Sequence, residues 1–328
     1  MNLKELPKVE LHLHLDCSLS FEVVKKLKPS TTLQSYQENF IAPAKCLNLA
    51  DYLRRAVKGF ELMQTEEQLR LVTFDLFKQL KADRIIYAEI RFAPMLHIMK
   101  GLSPEQVVEI VNDAVDQSIQ KYGIEAGIIL CDLRRNSEAY SLKTVRLVNQ
   151  YKGTHVVGFD IAGNEAGFPI DDHVKAFQFA NANNIKCTAH AGEARGAESV
   201  WETLEYFKPS RIGHGVRSHE DDQLMQLIKN KNFHLEVCPT SNIQVNVFDT
   251  MENHPLNKMF NDGISMSINT DTRTISNVTL TSEYESLQRV FNWDRHHFKR
   301  ANLEAIKHAF ASEATKEKIR LQIEQAYE

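Results

Sequence analysis

The residues of this 328-residue sequence that could do chemistry are imidazoles and carboxylates at the ends of short apolar runs. In Val9-Glu10-Leu11-His12-Leu13-His14-Leu15-Asp16, strand alternation places Leu11, Leu13 and Leu15 on one face and His12, His14 and Asp16 on the other. Two imidazoles two residues apart on one strand face can reach a single ion. Taken alone, they can equally be a half-buried structural pair. Three other runs end in the same way: Thr188-Ala189-His190-Ala191-Gly192-Glu193, Gly213-His214-Gly215 and Asn269-Thr270-Asp271. Three or more imidazoles with a carboxylate suit Zn2+ or a similar first-row divalent ion, with one position left for water. The glycines beside His190 and His214 allow close approach of backbone or ligand.

The elements that must position these groups alternate along the chain. Strand-like runs fall at 9–15, 85–92, 124–131, 155–161, 185–190, 211–214, 233–238 and 264–270, with amphipathic helical patterns between them. Such alternation implies parallel pairing, because parallel neighbours need a long crossover. Eight units predict an α/β chain folded as a (β/α)8 TIM-type barrel, with an open doubly wound sheet as the rival. In a barrel the C-terminal strand ends meet at one mouth, so His12, His14, His190, His214 and Asp271 converge on one metal-centred site. The stretch 17–84 is too long for one crossover helix and predicts a helical cap insertion. Leu49, Tyr52, Leu53 and Phe60 there are either an apolar lid or the core of small helices. Residues 281–328 read as extra C-terminal helices. The other histidines, His97 and His254 in loops among them, take surface or structural roles, and Cys17, Cys187 and Cys238 read as small packing residues.

Composition sets the outer limits. Lys+Arg total 39 against 43 Asp+Glu, a net charge of −4, which argues against a nucleic-acid partner. No run approaches the roughly 18 apolar residues of a membrane helix, and the charged N-terminus is no signal peptide. Five scattered cysteines without a CxxC favour free thiols and a cytoplasmic location. The whole of 1–328 reads as one domain, with the cap at about 17–84. A chain this long needs no metal merely to fold.

PKVELHLHLD, DIAGNE, HAGE, IGHG, EVCPTSN with a later HPL, and SINTD occur in the order and context of the adenosine deaminase family, which the chain resembles over essentially its whole length. The resemblance implies a metal-dependent amidohydrolase barrel with one zinc ion. The implied reaction removes the 6-amino group of adenosine or 2′-deoxyadenosine. By matching motif, His12, His14, His190 and Asp271 look like the zinc ligands. Glu193 resembles the residue that protonates purine N1, and His214 the histidine that orients and deprotonates the attacking water. Asp16 matches a carboxylate that meets the ribose hydroxyls, and Gly163 a glycine whose N–H reaches purine N3. Binuclear relatives carry a bridging lysine on the fourth strand, and HVVGFDI has none. Glu193 should then be protonated near neutral pH, through burial.

Two positions depart from the family pattern. Cys17 stands where HLDG or HLEG has glycine. Thr272 stands where many members carry a second aspartate toward purine N7, a place where a hydroxyl can also donate. The alternatives are a same-family deaminase of adenine, N6-methyl-AMP or a 5′-modified adenosine, and a metal phosphoesterase. A nucleotide substrate would want a Lys/Arg cluster near the mouth, and the strand-end loops show no obvious one. The oligomeric state is not legible.

Overall fold

In the computed structural model, which describes residues 2–328, every run expected as a strand pairs in parallel with its sequence neighbour. One sheet holds β1 (Lys8–His14), β2 (Ile85–Phe92), β3 (Glu125–Leu133), β4 (Val156–Ala162) and β5 (Lys186–Cys187). The other holds β6 (His190–Ala191), β7 (Arg211–His214), β8 (His234–Val237) and β9 (Ser265–Ile268). β5 and β6 are one run broken at Thr188–Ala189. The break still carries backbone bonds, from Thr188 N to Phe159 O at 3.1 Å and from Gly213 N to Ala189 O at 2.8 Å. At the other seam Leu13 bridges Asp271. There His14 N donates to Asp271 O at 2.8 Å and Asp271 N to His12 O at 3.0 Å. The two seams join the sheets into the (β/α)8 barrel and leave no place for the open-sheet alternative.

Alternation on β1 works as expected. Leu11, Leu13 and Leu15 are fully buried against the helical layer, while His12 is fully buried on the inner side. Outside the strands, helix Pro104–Tyr122 starts at a capping box, Ser103 with Gln106. The 17-residue helix Glu66–Ala82 buries Leu69, Val72, Leu76, Phe77 and Leu80 and packs beside it as a member of the outer ring. The expected insertion of 17–84 therefore contains a ring helix. The part over the mouth comes from the short helices Leu49–Leu53 and Ala56–Phe60, while Phe21–Leu27 packs on Glu66–Ala82 and Leu33–Phe40 packs on Ala56–Phe60. Among the described residues no helix is long and apolar enough to cross a membrane.

Side chains distant in sequence fasten the C-terminal helices. Asp83, just past Glu66–Ala82, accepts from Leu280 N at 2.7 Å and Thr281 N at 3.0 Å, and so caps helix Leu280–Phe291. Asn302, on helix Arg295–His308, accepts from Val9 N of β1 at 2.7 Å. Its Nδ2 donates to Phe298 O at 2.7 Å and to the Tyr284 hydroxyl at 2.9 Å. Replacing it strands a buried backbone N–H. Asn302→Ala is expected to lower unfolding stability by about 2–3 kcal/mol and to leave kcat of the folded fraction unchanged. Urea unfolding and active-site titration on one preparation check both.

Candidate metal and catalytic centre

The C-terminal strand ends surround a cavity of about 390 Å3, within the usual range for small-ligand sites. His14, Asp16, Gly163, His190, Glu193, His214, Asp271 and Thr272 all line it, and His12 lies fully buried beneath its floor. His214 and Asp271 hold left-handed backbone, with φ of 59° and 62°. Non-glycine residues adopt that conformation rarely, and histidine and aspartate more readily than most. These turns aim the two side chains back across the barrel mouth.

The nitrogens and oxygens converge. His12, His190, His214 and Asp271 each offer a donor atom within 4.8 Å of the others. His14 Nε2 adds to the group, 3.3 Å from His190 Nε2 and 3.5 Å from Asp271 Oδ1. Hydrogen bonds at the far side of each ring decide which nitrogen is free. His12 Nδ1 faces Glu236 Oε2 at 2.9 Å, and His190 Nδ1 faces the Asp160 carboxylate at 3.1–3.2 Å. A carboxylate only accepts, so both Nδ1 atoms carry hydrogen and both Nε2 lone pairs point inward. His12 Nε2 is buried with no hydrogen bond, 3.4 Å from Asp271 Oδ1. An orphaned nitrogen among these donors fits a divalent ion. Burial and Arg91 push the His12 pKa down, but Asp271 and Glu236 overcome them and hold it above that of a free imidazole. A metal ion at Nε2 takes the place of that proton.

His214 differs. Leu256 N donates to His254 Nδ1 at 3.1 Å, so the His254 proton sits on Nε2, which faces Asn242 Oδ1 at 3.2 Å. Asn242 then turns its Nδ2 toward His214 Nδ1, 3.2 Å away. Beginning from a backbone N–H, this chain fixes both the amide orientation and the tautomers. His214 accepts at Nδ1 and carries its hydrogen on Nε2, 3.6 Å from Glu193 Oε1. Burial holds its pKa well below the ordinary histidine value, with His12 and His190 adding to the effect, so the ring is neutral.

Two carboxyl groups in the cavity are pushed in opposite directions. Burial raises Glu193 well above the usual carboxylate range, and the charges of Asp271 and Glu165 push it further. Burial also opposes ionisation of Asp271, but its hydrogen bond to His12 and the charge of that ring hold it well below that range. Asp271 Oδ2 accepts from Ser241 Oγ at 2.7 Å. Opposed environments of this kind separate an acid from an anion.

The cap closes the other side. Leu49, Tyr52, Leu53 and Phe60 line the cavity, and Leu49 and Tyr52 also join a separate apolar cluster with Cys17, Cys46 and Ile275. These residues are thus both lid and small core. Gly59 lets the cap rest directly on β1's exit, since a Cβ there would stand 2.1 Å from Asp16 O. Tyr52 hydrogen-bonds the Thr272 hydroxyl, and Ser276 Oγ at 2.6 Å.

Sequence reasoning missed several functional neighbours. His97, read as a loop histidine with a surface or structural role, is fully buried, with Nε2 3.7 Å from Asp16 Oδ2. Burial would raise the Asp16 carboxyl, and His97 holds it below its ordinary value. His254 is buried and sets His214's tautomer. Arg54 and Arg135 line the cavity, although the strand-end loops had shown no basic cluster. The missed signals were the HPL motif itself and the Arg134-Arg135 pair directly after β3.

Two outcomes follow from this geometry. A Cβ on Gly213 would come 3.1 Å from His12 Cε1 and 3.2 Å from His190 Cα. Gly213→Ala is expected to weaken metal retention about 10–100-fold, measured by competition with a chelator. Burial also lowers His14 and His254 to about 3 from the ordinary 6.5. Between those values the unfolded chain binds the proton and the folded chain does not. Stability of the metal-free protein therefore falls as pH drops below 6.5, by about 1.4 kcal/mol per pH unit for each such histidine. Urea unfolding at pH 7.5 and 5.5 tests this, with a shallower dependence expected in His254→Gln.

The family model described as adenosine deaminase matches residues 7–326. The chain is 35% identical over 330 residues to the adenosine deaminase of Clostridium perfringens strain 13, covering 98% of this chain and 99% of that one. Its fold is similar to the crystal structure of adenine deaminase from Arthrobacter aurescens, with a TM-score of 0.90, 25% identity and 98% of each chain covered. It is also similar to a zinc-bound amidohydrolase from Burkhoderia ambifaria, with a TM-score of 0.90, 21% identity and coverage of 98% of this chain and 90% of that one. The chain belongs to the adenosine deaminase family.

Proposed function

We propose that the protein hydrolyses adenosine and 2′-deoxyadenosine to inosine or deoxyinosine and ammonia, with one Zn2+ per chain. The observation that carries this reading is a buried Glu193, its carboxyl pushed well above the usual carboxylate range by burial, on the wall of the cavity whose floor is the histidine–aspartate cluster. His12, His14, His190 and Asp271 hold the ion. His214 stays out of the ligand set because its Nε2 bears hydrogen. A divalent ion held there lowers the pKa of its water from about 15.7 to about 7 and so supplies a nucleophile at neutral pH.

The protein does the rest. Glu193 donates its proton to ring nitrogen N1, which draws electrons from C6 and readies it for attack, a contribution of about 10²–10⁴. His214, through Nε2–H, and Asp271, as an anion, orient the attacking water toward C6; Asp271 takes that water's proton and returns it to the amino group, which leaves as ammonia, and the proton of the new C6 hydroxyl restores Glu193. His214 thereby takes the orienting half of the role that the family resemblance implies, because its fixed tautomer presents a donor there. Asp16, held ionised by His97, receives the ribose hydroxyls. Gly163 offers its N–H to N3, and the Thr272 hydroxyl, shared with Tyr52, serves N7. The cap excludes bulk water.

A second reading, a 6-aminopurine bearing a 5′ anionic group, is favoured by Arg54 and Arg135 on the cavity wall. Adenosine, 2′-deoxyadenosine, adenine and AMP assayed in parallel, with metal quantified on the same preparation, separate the readings. Adenosine is expected to exceed adenine and AMP by about tenfold or more in kcat/KM, with one ion per chain. Preference for AMP selects the second reading, and two or three ions select a phosphoesterase. Glu193→Gln is expected to lower kcat about 10²–10⁴-fold with metal retained. Near-parent turnover in that variant would sink the acid assignment.

A further inference from the structure

We infer that Glu165 is a positioning residue for Glu193, its carboxylate fixing the loop from which the acid projects; this rests on the proposed role of Glu193 as acid. Glu165 follows the end of β4 and is 1% exposed. Its Oε1 accepts from Gly192 N at 2.8 Å and Ser199 Oγ at 2.5 Å. Its Oε2 accepts from Glu193 N at 3.0 Å, Ala194 N at 2.5 Å and Arg195 N at 2.9 Å. Four successive amides and a hydroxyl thus close around one carboxylate, in the manner of a backbone nest around an anion.

The loop has no regular structure to hold it. Residues 192–195 lie between β6 and helix Ala197–Glu202, so their amides belong to neither a ladder nor a helix. Only an acceptor brought from another element can gather them, and Glu165 arrives from the neighbouring strand end, 27–30 residues earlier. The same bonds tie the β4 exit, which carries Gly163, to the loop that carries Glu193. Two walls of the cavity are thereby set at a fixed separation. An amide cannot replace this carboxylate. If a glutamine turns its NH2 toward Ser199, Gly192 N meets a donor; if it turns the other way, three amides do.

The test uses the metal-loaded enzyme. Glu165→Gln is expected to lower kcat about 10–100-fold, the scale of a catalytic group misplaced by about 1 Å, with KM within about threefold and metal content unchanged. Because the effect runs through Glu193, Glu165→Gln with Glu193→Gln is expected to be no slower than Glu193→Gln alone. Should Glu165→Gln fail to fold, Ser199→Ala removes one of the five bonds and is expected to lower kcat about 3–10-fold, with the same lack of additivity. Losses that multiply in the double variant overturn the positioning role. So does a Glu165→Gln enzyme with near-parent kcat beside a crippled Glu193→Gln. A Glu193→Gln enzyme with near-parent kcat overturns the acid assignment and this role with it.

Discussion

The buried guanidinium of Arg91 is the interaction on which the rest of this site depends. It donates from Nη1 to Asp160 at 2.8 Å and from Nη2 to Glu236 at 2.7 Å, with all three side chains fully buried. Those same carboxylates hold Nδ1 of His190 and His12. One cation on β2 therefore sets the tautomers of two imidazoles on β1 and β6. Arg211 extends the network to Glu89, and to Glu236 at 2.7 Å. Most barrels of this kind fill their axis with branched apolar side chains. Replacing a buried ion network by such residues is often neutral or stabilising, so stability alone does not account for it. Orientation of the two histidines does.

Strand pairing, in turn, explains why the strand ends can hold strained backbone. His214 and Asp271 sit in left-handed conformations that cost of order 1 kcal/mol or more each. Backbone bonds between neighbouring strand ends hold them there. Asp271 is paired with β1 through His12 O and His14 N, and His214 with Ala191 in the β6–β7 register. The strain lies at paired strand ends, and its effect is to point a carboxylate and an imidazole at one place.

What the sequence made legible follows from periodicity. His12 and His14 stood out because alternation on a single strand predicts a shared face, and the eight runs predicted a mouth where their ends meet. Arg91, Asn242 and Glu165 could not be found in this way. Their partners lie between 12 and 145 residues off, and no local pattern encodes a contact between different elements. A weaker signal did exist: Glu10, Glu89, Arg91, Asp160 and Glu236 are charges inside otherwise apolar strand runs. Buried charges are paired or functional, so their position alone foretold an ionic axis, though not which charge met which. The cap was legible as extra length. Its ring helix Glu66–Ala82 was not separable from the mouth helices, because both are amphipathic.

The division of labour between Glu193 and Asp271 comes from what each faces. Both are buried, and burial by itself would keep both protonated. Asp271 has three imidazoles around it and a hydroxyl donating to Oδ2, so its charged form is stabilised. Glu193 has the charges of Asp271 and Glu165 beside it, which with burial outweigh that of Arg134, and the neutral His214 close to its oxygen, so its charged form is not. Exchanging the two residues would not exchange their roles, because the role belongs to the surroundings. The neutral state of His214 is part of that arrangement: a cationic imidazole 3.6 Å from Glu193 would draw its pKa down and remove the proton that the proposed mechanism delivers to N1. The chain from Leu256 through His254 and Asn242, by holding His214 as a neutral ring with its hydrogen on Nε2, therefore keeps the Glu193 carboxyl protonated as well as presenting a donor to the cavity, both of which the proposed mechanism uses.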